Sequence, residues 1–366
     1  MLNNKTIAVV VPAYNEETQI RLVVESMPDF VDRIIVVNDC STDKTSEVVR
    51  DCISKSAEDT IRISNVLHEV KPDRYNKASI VVQQLQQEEI NRFTPSEVVN
   101  TSEETDRVIL IEQSKNSGVG AAIARGYKWA KDHGIDCTAV MAGDGQMDPS
   151  ELESICSPVV EEEIDYVKGN RLIHRSALLV IPKVRYFGNS ILSILTKVAS
   201  GYWHVSDTQT GYTAMSNKAL NAIRLYDIYK SYGMPNDMLV KLNIAFCTIR
   251  EVEIKPIYDV GEQSKMKVMK VIPRVSLLLF KSFFKRLWIK YLFRDFHPLF
   301  ILYNFSFALF FGAIPLGVKI VDRWLIQHEA VNPITFIAFM FLFISGFQSF
   351  LFAMWMDIQD NERLNK

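Results

Sequence analysis

The chain has 366 residues, long enough for one large domain or two smaller ones around a sizeable core. Its 41 basic and 43 acidic side chains leave a formal net charge of -2, so no basic excess is available to neutralise the phosphates of a nucleic acid, and no nucleic-acid partner is expected. Cysteines at 40, 52, 137, 156 and 247 are odd in number and form no C-x-x-C pair, which argues against a disulfide or zinc framework and for reduced thiols in a cytoplasmic compartment.

In chain order, residues 7–11 form a β-branched run closed by Pro12, and residues 33–37 form another closed by Asn38-Asp39. Helical spacing of Ile20, Val23, Val24 and Met27 lies between them, which predicts strand, helix, strand. The first residues lack the charged-then-apolar pattern of a signal peptide, so the soluble part is expected to stay where it is made. Residues 54–106 are polar with scattered apolar patches and read as an insertion. Residues 108–111 and 138–141 give two more apolar runs around a helical stretch over 119–131, with Gly134 as its stop. This alternation predicts an α/β domain with a mostly parallel, Rossmann-like sheet that binds ligands at the carboxyl ends of its strands.

Further on, apolar residues at 184, 187, 191, 194, 195 and 198 oppose Arg185, Asn189, Ser193 and Lys197, an amphipathic helix closed by Gly201 that suits a core or a membrane surface. Residues 298–318 and 333–356 carry no charge, and each run is long enough to cross a bilayer. Ahead of them, residues 276–296 mix Lys281, Lys285, Arg286, Lys290 and Arg294 with Phe and Trp in the manner of an interfacial helix. Lys319 and Arg323 are the only Lys or Arg residues in the connecting loop, so the positive-inside rule puts the main domain in the cytoplasm. The expected organisation is an α/β domain over 1–270, an interfacial helix over 271–297, a two-helix transmembrane hairpin over 298–358 and a cytoplasmic tail over 359–366.

The chemistry concentrates at the ends of the strands. Pro12-Ala13-Tyr14-Asn15-Glu16-Glu17 and Asn38-Asp39-Cys40-Ser41-Thr42-Asp43 bring an aromatic ring and carboxylates to one sheet edge, which suits a nucleoside. Asp43 also reads as a helix N-cap. In Ala142-Gly143-Asp144-Gly145-Gln146-Met147-Asp148-Pro149 a carboxylate stands between two glycines, where a diphosphate can approach the backbone and Asp144 with Gln146 can offer oxygen ligands to Mg²⁺ or Mn²⁺. A plain Asp-Gly turn is the simpler reading of that pair. Arg171 and Arg185 flank the amphipathic helix, where an anionic lipid phosphate would need a guanidinium. Gly118-Val119-Gly120 opens a helix, but Ile123 holds the third glycine position of a dinucleotide fingerprint, which argues against a dehydrogenase.

VVPAYNEE, VVNDCSTDKT, NSGVGAAIARG and AGDGQMDP occur in this order. With them the chain resembles, over residues 5–270 apart from the insertion, the inverting family-2 glycosyltransferases of GT-A fold, in the polyprenyl-phosphate branch similar to dolichyl-phosphate mannose synthase. The resemblance implies that Pro12, Tyr14, Glu16, Asp39 and Gly118 hold the nucleotide with Asp144, that Asp144 and Gln146 hold Mg²⁺ or Mn²⁺, and that Arg171 and Arg185 meet the acceptor phosphate. It implies a sugar pocket at Gln209 and Gly211, with Asp207, Asp237 and Lys265 as catalytic candidates, Asp237 where many inverting relatives keep a base. The family's metal motif often starts with an Asp where this chain has Ala142. The implied activity is inverting, metal-dependent transfer from a nucleotide diphosphate sugar, UDP-hexose first, to a polyprenyl phosphate on the cytoplasmic face of a lipid bilayer, with a bacterial inner membrane as the expected setting and a homo-oligomer as a possible assembly. A non-catalytic membrane scaffold, a lipid-carrier translocation partner and a transferase acting on a glycerolipid are the alternatives.

Overall fold

A computed structural model describes residues 1–55, 61–65, 73–257 and 268–366, apart from the side chains of 184, 185 and 268–271. Eight strands form one sheet: β1 Ile7–Ala13, β2 Arg33–Asn38, β3 Ser96–Val98, β4 Val108–Gln113, β5 Cys137–Val140, β6 Tyr166–Asn170, β7 Thr213–Ser216 and β8 Ile249–Glu253. Their spatial order is β3-β4-β2-β1-β5-β7-β6-β8. The helices interspersed with these strands are α1 Ile20–Glu25, α2 Thr45–Lys55, α3 Lys77–Glu89, α4 Val119–Asp132, α5 Leu152–Glu161, α6 Ala177–Val180, α7 Lys183–Ser200, α8 Asn217–Ala222 and α9 Met234–Ile244.

The strands read as unbroken apolar runs because both faces of the sheet are covered. Ala8 and Val10 join Tyr127 and Trp129 of α4 in one core, while Ile7, Val9 and Val11 join Ile20, Val49 and Ile155 in the other. β4, β2, β1 and β5 pair in parallel. Beyond β5 the direction changes, since β7 runs antiparallel to both β5 and β6. The long connection through α6 and α7 lets the chain come back the other way, so the sheet is more mixed than the early strands suggest.

The expected insertion is partly built into the sheet. Its β3 pairs antiparallel with β4, Val98 opposite Ile111, and the buried Arg33 guanidinium takes the carbonyls of Ile61 and Glu104, each at 2.6 Å. Helix α3 leaves Val81, Val82 and Leu85 exposed.

Three more helices complete the described chain: α10 Val268–Trp288, α11 Pro298–Val321 and α12 Pro333–Glu362. The stretches Pro298–Ile326 and Pro333–Glu362 are long and apolar enough to cross a membrane. They pack as a hairpin in which Ser306 Oγ donates to the Gly346 carbonyl at 2.8 Å. One expectation changes here. Lys281 and Lys285 are exposed as an interfacial helix requires, but Arg286 and Lys290 are buried and turned into the protein, because acidic and amide groups of α12 meet them there. Residues 359–366 lie against the domain. Leu364 joins the core, Ile249 N donates to the Leu364 carbonyl at 2.7 Å, and Lys366 N donates to the Ile249 carbonyl at 3.0 Å. The chain end thereby satisfies backbone groups at the outer strand β8.

Candidate active site

The loops after β1 and β2 are stitched together by short polar side chains. Thr42 N donates to Asn15 Oδ1 at 2.8 Å, Asn15 N to Ser41 Oγ at 3.0 Å, and Glu16 N to Thr45 Oγ1 at 3.0 Å. Asn15 and Cys40 occupy left-handed backbone, φ 55° and 60°, and turn both loops sharply at the sheet edge. Pro12, Tyr14 and Glu16 are half-buried there, beside Asp39.

Asp39 is nearly inaccessible, and its carboxylate takes Ser117 N and Gly118 N, both at 2.7 Å. Burial pushes its carboxyl above the ordinary range against the pull of those two amides. The residue therefore pins the start of α4 to the end of β2 and keeps lone pairs for a further donor. Gly118 and Gly120 serve close packing: a Cβ on either would fall inside the backbone carbonyls of Lys230 and Tyr229. This use of the NSGVG glycines was not expected, since only the tertiary fold brings 229–230 against them.

At the tip of β5, Asp144 Oδ1 accepts from Gln146 N at 3.1 Å, and Gly145 adopts φ 74°. A Cβ on Gly143 would stand 3.2 Å from the Pro12 carbonyl, so this tip lies directly against the β1 loop. On its other side Tyr212 Oη donates to the Asp148 carbonyl at 2.9 Å, and a Cβ on Gly211 would touch Met147 at 3.6 Å. The loops after β1 and β2, the Asp144 tip and the 207–212 segment are thus contiguous.

Asp207 is completely buried. Arg171 holds it with Nε to Oδ2 at 2.8 Å and Nη2 to Oδ1 at 3.1 Å, and the backbone amides of Arg171, Gln209 and Thr210 add bonds of 3.2 Å each. Burial alone would raise its carboxyl, but Arg171, Lys168 and the hydrogen bonds outweigh it and hold the group below the ordinary carboxylate range. Beneath lie two residues that the sequence reading passed over. Glu251 accepts from Ser206 N, Asp207 N and Asn170 Nδ2, and Lys168 Nζ donates to the Thr210 carbonyl. A lysine in an otherwise apolar strand run was the one signal available for them.

Gln209 Nε2 donates to Asn236 Oδ1 at 2.9 Å, Thr196 Oγ1 of α7 donates to the same oxygen at 2.8 Å, and Ser193 of α7 bonds Thr208 at 3.1 Å. One wall of the site is therefore α7, whose outer face exposes Phe187, Ile191 and Ile194. Asp237 accepts from Tyr229 N at 2.8 Å and from Lys241 on its own helix. Arg185 sits on the first turn of α7 with its side chain outside the described residues, and Lys265 lies outside them altogether.

Asp144 and the Gln146 amide offer only hard oxygen donors, and among the described residues no cluster of three or more His, Cys, Asp or Glu side chains forms a metal cage. One carboxylate at a glycine-lined tip matches a divalent cation that takes most of its ligands from a diphosphate, so the residues present fit Mg²⁺ or Mn²⁺.

The sequence pattern of glycosyl transferase family 2 matches residues 8–67 and 91–224, and the unmatched stretch between them contains all of α3. The chain is 27% identical over 288 residues, 78% of its length and 97% of the relative's, to UDP-N-acetylglucosamine–dolichyl-phosphate N-acetylglucosaminyltransferase of Methanococcus voltae. It is 27% identical over 164 residues, 44% of its length and 66% of the relative's, to undecaprenyl-phosphate mannosyltransferase of Micrococcus luteus. Among solved structures it is similar to glucosyl-3-phosphoglycerate synthase of Mycobacterium tuberculosis in complex with Mn²⁺, UDP and glucosyl-3-phosphoglycerate, at 16% identity and a TM-score of 0.46, over 77% of this chain and 80% of that one. With its motif-bearing loops gathered at one edge of the mixed sheet, the chain belongs to glycosyl transferase family 2 and is a glycosyltransferase.

Proposed function

We propose that the chain transfers a hexose or N-acetylhexosamine from a UDP-sugar to a polyprenyl phosphate on the cytoplasmic side of a membrane, with inversion. The observation that carries this reading is α7: it bonds the 207–212 segment through Ser193 and Thr208 and turns Phe187, Ile191 and Ile194 outward. A lipid-borne acceptor lying along that face would reach the strand-end loops from the side where the apolar hairpin leaves the domain. The acceptors in the names of the Methanococcus and Micrococcus relatives, dolichyl and undecaprenyl phosphate, agree with it. Lys281 and Lys285 are exposed on the domain side of the hairpin, which favours the cytoplasmic face.

The acceptor phosphate is already an anion at neutral pH, so its oxygen needs no protein base. That oxygen forms a new bond to the anomeric carbon as the carbon's bond to the diphosphate breaks, and UDP departs with the electron pair. Asp237, held by Tyr229 N and Lys241, suits a positioning role better than a proton acceptor's. Pro12, Tyr14, Glu16 and Asp39 would hold the nucleoside, and Gln209 and Gly211 would border the sugar. Arg171 and Arg185 would serve the acceptor phosphate, and Lys265 the leaving group. Asp144 and Gln146 would hold Mg²⁺ or Mn²⁺, whose charge offsets that gathering on the diphosphate.

The test is a screen of UDP-sugars against the full chain in bilayers containing polyprenyl phosphate. A lipid-linked sugar phosphate and free UDP are expected, and Asp144→Asn should lower turnover by about 100-fold or more. Sugar appearing on glycerolipid instead would overturn the acceptor assignment, and full turnover by Asp144→Asn would retire the metal role.

A further inference from the structure

The junction between the hairpin and the domain is polar, buried and centred on Arg286. Its guanidinium holds Asp357 of α12 through two bonds of 2.7 Å. The same group donates to the last carbonyls of α7, Nε to Ala199 at 2.9 Å and Nη2 to Val198 at 3.1 Å. Gly201, which ends α7 at φ 80°, leaves room for it: a Cβ there would lie 2.5 Å from Arg286 Nη1. Beside it, Lys290 Nζ reaches Asn361 at 2.6 Å and Asn243 of α9 at 3.0 Å, and Tyr291 Oη donates to Asp357 at 2.7 Å.

A membrane hairpin gains little directional preference from apolar contacts, because lipid tails are as apolar as its neighbours. Hydrogen bonds to a planar guanidinium do fix direction. Arg286 meets both ends of the problem at once, the membrane helix that returns to the domain and the helix that walls the active site. We infer that Arg286 is a positioning residue for the acceptor step: by tying α12 to the C-terminal end of α7, it sets the depth and tilt at which α7 and the attached 207–212 segment meet the lipid. The inference rests on the acceptor reading above, but its geometry stands apart from that reading.

The full chain is reconstituted in nanodiscs as wild type, as the Arg286→Met/Asp357→Leu double variant, which leaves no unpaired buried charge, and as Arg286→Lys. Turnover is measured with long-chain polyprenyl phosphate in the bilayer and with a short, water-soluble prenyl phosphate. The double variant should raise KM for the embedded acceptor roughly ten- to hundredfold, as misplacement does, and should change kcat/KM for the short acceptor and KM for the donor by less than about twofold. Arg286→Lys should recover only part of the loss, since an ammonium cannot serve the carboxylate and both carbonyls in the same fork. Equal losses on both acceptors, or no loss on either, would overturn the inference. A spin label at Ile194, in a background where the exposed Cys40 is replaced by Ser, reads α7 directly. Its depth should be single-valued in the wild type and shifted or broadened in the double variant, and an unchanged depth would overturn the inference whatever the activity. A wild type that ignores polyprenyl phosphate would defeat the proposed function instead, leaving the depth measurement to decide the junction.

Discussion

Arg171 could serve the acceptor phosphate or hold Asp207, and the geometry gives these two jobs different signatures. Arg171→Ala leaves Asp207 fully buried with only its three backbone donors and Lys168 nearby. Removing one partner of a buried ion pair costs about 3–5 kcal/mol. Arg171 keeps 22% of its side chain exposed and the amides remain, so the expected loss is about 2–3 kcal/mol. For a domain of this size that lowers Tm by about 5–10 °C. Asp207 is held below its ordinary range, so this stabilisation is present above the unfolded carboxyl pKa and fades as pH falls through the folded one. The gap between wild type and Arg171→Ala should thus be full at neutral pH and close below about pH 4. The assay is thermal unfolding of the detergent-solubilised chain with a double-mutant cycle over Arg171→Ala and Asp207→Asn, in which a contacting pair should couple by at least about 1 kcal/mol. If Arg171→Ala keeps the wild-type Tm and only raises KM for the acceptor, the clamp reasoning is refuted and the residue is a substrate ligand.

Gly120→Ala should destabilise although alanine favours helix by about 1 kcal/mol, because its Cβ meets backbone that Gly120 N and Asp237 hold in place, an overlap worth about 1–3 kcal/mol or more; a raised Tm would show that the 229–230 segment yields. Burial pushes Lys168 down to about 8 from 10.5, so between those values the unfolded chain binds more protons and stability rises with pH. Lys168→Met should flatten that rise in thermal unfolding, and parallel pH profiles would count against it. Truncation after residue 297 strips Arg286 and Lys290 of Asp357 and Asn361, and strips Ile249 of Leu364 and Lys366. The isolated domain should lose at least about 3 kcal/mol in denaturant titration, and stability equal to the intact chain would disprove the dependence.

The parallel half of the sheet was legible because β1, β2, β4 and β5 are apolar runs covered on both faces. β6 and β8 were not, since Lys168, Arg250 and Glu251 interrupt them with charges that only the folded network explains. The site was readable as a set of motifs and unreadable as a set of partners. Asp39 was placed at the nucleotide site, yet the amides it holds lie 78 and 79 residues away. Arg286 and Lys290 look interfacial among their aromatic neighbours, and nothing local reveals that Asp357 and Asn361, each 71 residues on, will bury them. Amphipathic spacing reports which face is charged and not what the charge meets.

The Arg171–Asp207 and Arg286–Asp357 pairs share one logic. Desolvation makes a buried pair a poor means of gaining stability, and an apolar replacement of equal volume is often as stable. What the pair supplies is direction, because a fork of N–H donors accepts a carboxylate in few orientations. Arg171 and Asp207 fix the bend of the 207–212 segment against the Asp144 tip, and Arg286 and Asp357 fix the hairpin against the far end of α7. Both constraints converge on α7, through Thr208 at Ser193 and through the carbonyls of Val198 and Ala199. The proposed transfer from a water-soluble donor to a lipid-borne acceptor needs that helix at one height, and hydrophobic burial alone would leave its height free to vary.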